Sequence, residues 1–158
     1  MKFVNTEELN SKQKQEIFEL WNNEYPEVLA YSVLTEFEDY LNKQDNRYHI
    51  LLVDDAEKVK GWYFEFTRDN EKWFVLIVGS RMQKKGYGSQ LLEMGKARTD
   101  KLNGWVIDHN DLKKINGKQY LSPLEFYVKN GFKMLHDNVL RTGKISAVQI
   151  KWERELDL

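Results

Sequence analysis

The sequence predicts an α+β domain with a mixed, mostly antiparallel twisted sheet of six to seven strands flanked by about four helices. Three observations lead to this fold class. Apolar residues recur at helical spacing near the start of the chain and at strand spacing from Tyr48 onward. Farther on, a helical segment lies between two short apolar runs, an order that predicts a right-handed parallel crossover. Another helix and two strands then complete the chain.

Length and composition favour one globular domain over residues 1–158. The chain has 24 Lys and Arg, 25 Asp and Glu and 41% hydrophobic residues, enough apolar surface for a real core. A formal net charge of −1 gives no general attraction to nucleic acid or to an anionic membrane, so any phosphate ligand must be held locally.

The residue types also restrict the compartment. With no cysteine, the sequence excludes disulfides, thiol catalysis and cysteine-bound metals, and a reducing compartment is expected. The longest charge-free apolar run, from Trp73 to Ser80, is too short for a membrane span, and no apolar leader precedes the first helix. A cytoplasmic protein without a membrane partner is therefore predicted.

Two helices are predicted ahead of most of the sheet. The first follows Thr6, ends near Pro26 and has a buried face at helical spacing, formed by Ile17, Leu20 and Trp21. The second is indicated by a capping-box pattern that begins at Thr35, in which a hydroxyl and a later Glu satisfy the free amides of a first helical turn.

The central part of the chain predicts a hairpin followed by a buried strand. The hairpin comprises Tyr48–Val53 and Val59–Thr67, joined by a polar turn. The next strand, Trp73–Val78, is apolar at every position, which is typical of a strand covered on both faces. A helix over Ser89–Leu102 and a short strand over Trp105–Asp108 follow.

The last part of the chain begins with a polar segment, Asn110–Leu121, which predicts an ordered loop or a lid. Ser122 and Pro123 then supply the N-cap and first-turn residues of a short helix. Asn130-Gly131 is a left-handed C-terminal stop, so this helix ends there. The final strands are predicted over Phe132–Leu135 and Ile145–Trp152.

The segment after the central strand is the best candidate for a phosphate site. Gly86 and Gly88, spaced by one residue, precede a helix whose free amides and dipole favour an anion. Three cations share the turn: Arg81, Lys84 and Lys85. A pyrophosphate fits this pattern, although no Walker loop or third dinucleotide-binding glycine is present. A purely structural reading, with glycine for geometry and lysine for solubility, stands beside it.

Two motifs in this order resemble those of the GNAT superfamily of N-acetyltransferases. Val78, followed after four residues by Gln83-Lys84-Lys85-Gly86-Tyr87-Gly88, resembles the family's acyl-CoA signature. The segment from Phe126 to Phe132 is similar to its late helix-to-strand element. The resemblance covers nearly the whole chain and implies the GNAT fold, in which a splay separates two central parallel strands and a β-bulge frees backbone groups beside it.

The resemblance implies acetyl-CoA as cosubstrate and no metal. Amides of the glycine-bearing turn are expected to hold the pyrophosphate, and the end of the central strand to line the pantetheine arm. A backbone amide near Ile77 or Val78 is the expected oxyanion donor. By position, the cofactor-binding residues are Leu76, Ile77, Val78, Gln83, Lys84, Lys85, Gly86, Tyr87, Gly88 and Ser89.

Tyr127 matches the family position of the general acid that protonates the departing CoA thiolate. A phenol with a pKa of about 10 stays protonated at neutral pH and can donate to a thiolate. The alternative is that Tyr127 is only a core aromatic residue.

The base that deprotonates the amine is harder to locate in this sequence. Lys72 occupies the region where many family members that acetylate peptides have a glutamate. The remaining candidates are Glu65, Asp108 and His109, each of which is also an ordinary solvated or hydrogen-bonded residue type. A water molecule can serve in their place.

The sequence therefore predicts an acetyl-CoA-dependent N-acetyltransferase that moves an acetyl group to a primary amine by direct attack in a ternary complex. Its acceptor is a small-molecule or peptide amine. Trp21, Tyr25 and Tyr31 lie where the family frames its acceptor pocket, and they are equally compatible with the core. The chain is expected to be a monomer or a homodimer.

Three alternatives stay open at this stage. One is a non-catalytic acyl-CoA-binding regulatory module. Another is a nucleic-acid-binding module that uses the cations of the turn, against which the balanced charge argues. The third is an enzyme that acetylates an acceptor other than an amine.

Overall fold

The computed structural model describes residues 1–155. Its α-helices are α1 (Ser11–Glu24), α2 (Leu34–Asn42), α3 (Tyr87–Lys96) and α4 (Leu124–Lys129). Its strands are β1 (Lys2–Thr6), β2 (Asp45–Val53), β3 (Val59–Arg68), β4 (Glu71–Val78), β5 (Lys101–Ile107), β6 (Lys133–Arg141) and β7 (Ser146–Glu153).

All seven strands form one mixed sheet in the order β1-β2-β3-β4-β5-β7-β6. Every neighbouring pair is antiparallel except β4 and β5, which are parallel and are joined by helix α3. The α+β fold class, with four helices on a mostly antiparallel sheet, is therefore confirmed. Within residues 1–155, no helix combines the length and the apolar composition needed to cross a bilayer.

Alternation along β3 divides the core between the two faces of the sheet. Trp62, Phe64 and Phe66 point to the face covered by α1 and α2, where they pack with Trp21 and Phe37. Burial of an aromatic side chain of this kind contributes about 2–3 kcal/mol. This aromatic layer fixes the two helices on one side of the sheet.

The opposite face carries α3 and α4. Leu91 and Leu92 of α3 are fully buried there with Tyr63 of β3. A methyl group added to Gly95 would lie only 2.3 Å from the Tyr63 ring, so the glycine lets α3 approach the sheet closely. The helix therefore packs against β3 and its neighbours β2 and β4.

Strands β4 and β5 pair at only one position, Trp73 opposite Asn103. The amide of the Asn103 side chain donates to the Lys72 carbonyl at 3.1 Å, and its oxygen accepts from Gln149 at 2.9 Å. The first bond joins β5 to β4 at this end, and the second holds the Asn103 side chain to β7. Past this end β4 and β5 diverge, which is the expected splay. The expected β-bulge is wrong, because β4 stays in continuous register with β3 from Glu71 to Val78.

Several element boundaries differ from the sequence prediction. Helix α2 begins at Leu34 after Val33, without a side-chain cap, so Thr35 lies inside the helix and forms no capping box. Helix α3 ends at Lys96 rather than at Leu102. Leu102 is instead buried in β5, which begins earlier than predicted because Lys101 already pairs with β7. Strand pairing with β7 therefore outweighs the helical spacing of Leu102.

The segment from 110 to 121 is an ordered loop that folds back on itself. The Tyr120 amide donates to the Leu112 carbonyl at 2.8 Å, and the Gly117 amide to the Lys114 carbonyl at 2.9 Å. The Glu27 amide donates to the loop at the Lys113 carbonyl, at 2.9 Å. These bonds hold the loop against the segment that follows α1.

Candidate active site

A cavity of about 890 Å³ opens where β4 and β5 diverge. Residues 73–78 of β4 and 104–107 of β5 line it, so it passes between the strands and reaches both faces of the sheet. Its volume is in the range that accommodates small-molecule ligands. Gly104 borders it without a side chain, because a methyl group there would lie 2.9 Å from the Phe74 ring.

One end of the cavity is the turn between β4 and α3, residues 79–88 with the first residues of the helix. We call it the phosphate turn, after the ligand that its sequence predicts. Gly86 precedes the helix with φ of +85°, and Lys84 also has a positive φ of 63°. No side chain caps α3, and its first turn contains no acidic residue. The free amides at this helix start therefore face no competing internal acceptor, which favours a bound anion.

Side chains also shape this turn. The side-chain amide of Gln83 donates through Nε2 to the Val78 carbonyl at 2.9 Å and thereby fixes the turn to the end of β4. Gly88 lies under Phe126, whose ring would be 3.3 Å from an added methyl group. Of the ten residues assigned to cofactor binding, eight line the cavity; Lys85 and Tyr87 do not.

Tyr127 of α4 lines the middle of the cavity and is 6% exposed. Its ring packs edge-on against Phe74, with centroids 5.6 Å apart, and against Phe132 at 5.5 Å. Burial raises the pKa of the Tyr127 phenol, with a smaller contribution from Tyr120. The phenol is consequently protonated throughout the neutral range.

Two further phenols line the same cavity. Tyr25, at the end of α1, and Tyr120, in the loop, have ring centroids 6.4 Å apart. Burial raises the pKa of Tyr120 to about 12. Burial also raises the pKa of Tyr25 well above its usual value, with added repulsion from Tyr120, Tyr127 and Tyr40. The three phenols 25, 120 and 127 therefore form one group of protonated donors.

The other end of the cavity is aromatic and lies on the α1 and α2 face. We call it the aromatic wall, and it consists of Trp21, Tyr31, Tyr40, Phe66, Trp73 and Trp105. Two groups of rings are in contact within it: Trp21 lies 5.3 Å from Tyr40 and 5.5 Å from Tyr31, and Trp73 lies 5.8 Å from Trp105, all measured between centroids. Arg68 borders this wall. Trp21, Tyr25 and Tyr31 thus belong to both core and cavity.

Residues 8–154 match a family model described as an acetyltransferase (GNAT) domain. The chain belongs to the GNAT acetyltransferase family. The resemblance in the two motifs is confirmed, and the protein is an acyltransferase, which removes the non-catalytic alternative. No curated protein sequence matches the chain.

Solved structures of GNAT acetyltransferases share the fold at low sequence identity. Aminoglycoside 6'-acetyltransferase type Ii is 18% identical over 100% of both chains, with a TM-score of 0.74. Aminoglycoside 6'-N-acetyltransferase from Enterococcus faecium is 16% identical over 100% of this chain and 99% of that one, with a TM-score of 0.72. A phosphinothricin acetyltransferase from Sinorhizobium meliloti in complex with AcCoA is 12% identical over 98% and 89%, with a TM-score of 0.67.

None of the three base candidates lies in the cavity of this GNAT domain. Glu65 is fully buried, but on the α3 face, where it accepts from Arg98 Nε at 3.0 Å and from the Tyr63 hydroxyl at 3.3 Å. Asp108 is exposed. His109 accepts a bond from the Asp111 amide at 3.2 Å through Nδ1. Neither Asp108 nor His109 is among the lining residues.

Sequence reasoning missed Glu24, the one carboxylate among the described lining residues. One oxygen accepts from the Ser80 hydroxyl at 2.6 Å and from Lys114 Nζ at 2.9 Å. The other accepts from the Ser80 amide at 2.8 Å. Glu24 therefore joins α1, the phosphate turn and the loop. The available signal was an acid in the last turn of a helix, where the dipole disfavours negative charge.

The described part of the chain contains no group of three or more His, Asp or Glu side chains arranged to hold a metal ion. The polar groups of the GNAT cavity include main-chain amides, phenols, the hydroxyls of Ser89 and Ser122, the Gln83 side chain, one paired carboxylate and two cations, Arg68 and Lys84. Such a set can bind anions and donate protons.

Proposed function

We propose that this protein transfers the acetyl group of acetyl-CoA to a primary amine by direct attack in a ternary complex. The observation that carries the proposal is the divergence of β4 from β5 beside Tyr127, at one end of which an uncapped helix begins. An open cleft through the sheet lets a thioester enter from one face and an amine from the other.

The residues at the turn fit the CoA half of the substrate. Free amides between Gln83 and Ser89 would hold the pyrophosphate, and Lys84 would add a positive charge. Residues 76–78 of β4 would line the pantetheine arm within the gap. The positive φ of Gly86 and the absence of a side chain at Gly88 leave the main chain accessible to a ligand.

The proposed chemistry uses groups on both sides of the gap. The amine nitrogen attacks the thioester carbonyl, whose developing oxyanion accepts a hydrogen bond from the main chain near Ile77 or Val78. The carbon–sulfur bond breaks, and Tyr127 donates its proton to the thiolate. Because Glu65, Asp108 and His109 lie outside the cavity, we assign deprotonation of the amine to water held by the phenols of Tyr25 and Tyr120.

Replacing Tyr127 tests this mechanism. In Tyr127→Phe, kcat is expected to fall by about 100-fold or more, in the range typical of a general acid, while the Kd for acetyl-CoA changes less than about threefold. Stopped-flow or steady-state acetyl transfer to a broad panel of amines, with calorimetric binding of acetyl-CoA, measures both. Because burial keeps the phenol protonated, kcat of the wild type should not decline up to pH 9 through this group.

Two matched variants make the result specific. Tyr48→Phe removes a hydroxyl from β2, outside the cavity, and should leave kcat unchanged. Tyr120→Phe removes a second phenol of the cavity and should lower kcat less than fivefold, the effect of one neutral hydrogen bond. Equal activity of Tyr127→Phe and wild type excludes Tyr127 as the acid. A larger loss in Tyr120→Phe assigns that role to Tyr120.

A further inference from the structure

The formal charges around the cavity are distributed unevenly between its two ends. Among the described lining residues, the charged side chains are Glu24, Arg68 and Lys84. Lys84 belongs to the phosphate turn, and Glu24 is neutralised by Lys114 Nζ at 2.9 Å. Arg68 is therefore the one uncompensated charge at the aromatic end, and it is positive.

Arg68 is positioned by the aromatic wall itself. Its guanidinium carbon lies 5.2 Å from the Phe66 ring centroid and 5.8 Å from that of Trp73, both of which line the cavity. One Nη donates to Gln44 Oε1 at 3.3 Å. Within residues 1–155, no carboxylate lies within ion-pair distance of it. Contact with two ring faces restricts the side chain and leaves the remaining guanidinium donors for a ligand.

A second donor in the same wall has no acceptor. The indole Nε1 of Trp73 is buried and makes no hydrogen bond to any part of the chain that the structure describes. An unmade hydrogen bond of a buried group costs about 1–3 kcal/mol. Two donors, one of them charged, thus lie at the aromatic end, where the ammonium group of a cationic ligand would meet like charge and no carboxylate among the described lining residues of that end.

We propose that the amine acceptor is an anionic molecule, with a carboxylate recognised by Arg68 and an aromatic or apolar body that packs on the aromatic wall. This inference deepens the proposed function and rests on it. Guanidinium and carboxylate are complementary in geometry and charge, and the pair is strengthened beside apolar rings. The rings supply the contact area that a planar body requires.

The spacing between the ends sets the length of this acceptor. Tyr127 contacts Phe74, whereas Arg68 lies over Trp73, the preceding residue of β4, which points to the opposite face. Crossing the sheet from the thioester to the guanidinium therefore needs an acceptor whose amine and carboxylate lie at opposite ends of an extended body. An aminoalkyl group para to a benzoate has this arrangement.

The same surface disfavours polycations. Aminoglycosides and spermidine carry several ammonium groups, and sites for them require acidic side chains. The solved structures with a similar fold include an aminoglycoside 6'-acetyltransferase and a spermidine N-acetyltransferase from Vibrio cholerae, the latter 16% identical over 97% of this chain and 95% of that one, with a TM-score of 0.65. This chain shares the fold and has a positive charge, Arg68, at its aromatic end.

A matched pair of acceptors tests the proposal. With acetyl-CoA saturating, kcat/KM is measured for 4-(2-aminoethyl)benzoate, for the isosteric 4-(2-aminoethyl)benzamide and for spermidine. The benzoate is expected to be preferred at least 10-fold over the benzamide, and spermidine to be the poorest of the three. In Arg68→Gln the preference for the benzoate should fall below about twofold, through a higher KM for the benzoate.

The control is Arg141→Gln, which removes an exposed arginine of β6 outside the cavity and should keep the full preference. Equal use of benzoate and benzamide by the wild type, better use of spermidine, or a preference that persists in Arg68→Gln each overturns the anionic acceptor and leaves acetyl transfer intact. If acetyl-CoA binds and no amine is acetylated, the proposed function fails and this inference fails with it. The comparison of the three acceptors with the wild-type enzyme does not depend on how well any variant folds.

Discussion

The two ends of the cavity are built on different principles. The phosphate turn is made of main chain, comes from one continuous segment, and is defined by Gly86 and Gly88 with the uncapped start of α3. The aromatic wall is made of side chains, and they come from α1, α2, β3, β4, β5 and the segment between the two helices. Packing in the core beneath α1 and α2 holds the aromatic wall in place, whereas backbone conformation shapes the phosphate turn.

The two ends therefore differ in how far the ligand they bind depends on the side chains present. Main-chain amides are present whatever the side chains are, so a turn of this kind binds a diphosphate with few sequence requirements. An aromatic wall depends on which side chains meet, so we expect a single substitution such as Arg68→Gln to change the acceptor that it favours. A turn with few sequence requirements and an acceptor end set by its side chains are therefore compatible within one fold.

The core beneath the aromatic wall should respond strongly to pH. His49 of β2 stacks on Phe64 at 4.7 Å and accepts from the Trp62 indole at 3.0 Å. Burial, with a smaller effect of Arg47, lowers the pKa of His49 to about 4. The unfolded chain binds its proton near pH 6.5, so this stability is complete above pH 6.5 and declines towards pH 4, by about 3 kcal/mol.

Urea unfolding at several pH values measures this effect. His49→Gln should lower the free energy of unfolding at pH 7 and lose most of the decline towards pH 4. His136→Gln, which replaces an exposed histidine of β6, is the control and should keep the wild-type decline. An unchanged pH dependence in His49→Gln would show that the buried imidazole does not control the stability of this half.

At the phosphate turn, Gly86→Asp should raise the Kd for acetyl-CoA about 100-fold. The substitution strains a residue with φ of +85° and adds negative charge next to the diphosphate. Isothermal titration measures the affinity. Gly117→Asp is a matched control, because Gly117 has φ of +83° in the loop and no atom within 4 Å of its added methyl. Equal losses of affinity in both variants would assign the effect to backbone strain alone.

Glu24 connects the two ends, so its replacement should affect both moderately. Glu24→Gln removes the charge that faces Lys114 and weakens the bonds to Ser80, and the KM values for acetyl-CoA and for the acceptor should each rise about three- to tenfold. Glu93→Gln, at an exposed ion pair of α3, should change neither. A change in only one KM would show that Glu24 serves one end and does not couple them.

The fold and the phosphate turn were predictable because their signals are local. A strand apolar at every position, two glycines and a helix start occupy consecutive residues, and Asn130-Gly131 ends α4 where predicted, with Gly131 at φ of +90°. The extent of α3 was not predictable from its own residues. Leu102 fits the helical spacing, yet pairing with Trp152 of β7 places it in a strand.

The aromatic wall was only partly predictable, because its residues are adjacent in space and distant in sequence. Trp21, Tyr25 and Tyr31 were identified through the family resemblance, whereas Tyr40, Trp73 and Arg68 have no local signal that separates a lining residue from a core or surface residue. The role of Glu65 was equally unpredictable from local sequence. Its place in a strand does not indicate that Arg98, more than 30 residues away, donates a hydrogen bond to its carboxylate. Long-range contacts decide such roles.

A crystal structure of the complex with CoA tests the central claim most directly. The account predicts the diphosphate on the amides between Gln83 and Ser89, the pantetheine arm between β4 and β5, and the sulfur within hydrogen-bond distance of the Tyr127 hydroxyl. A complex in which β4 and β5 pair along their whole length, with CoA elsewhere or with the Tyr127 hydroxyl turned away from the sulfur, would contradict it.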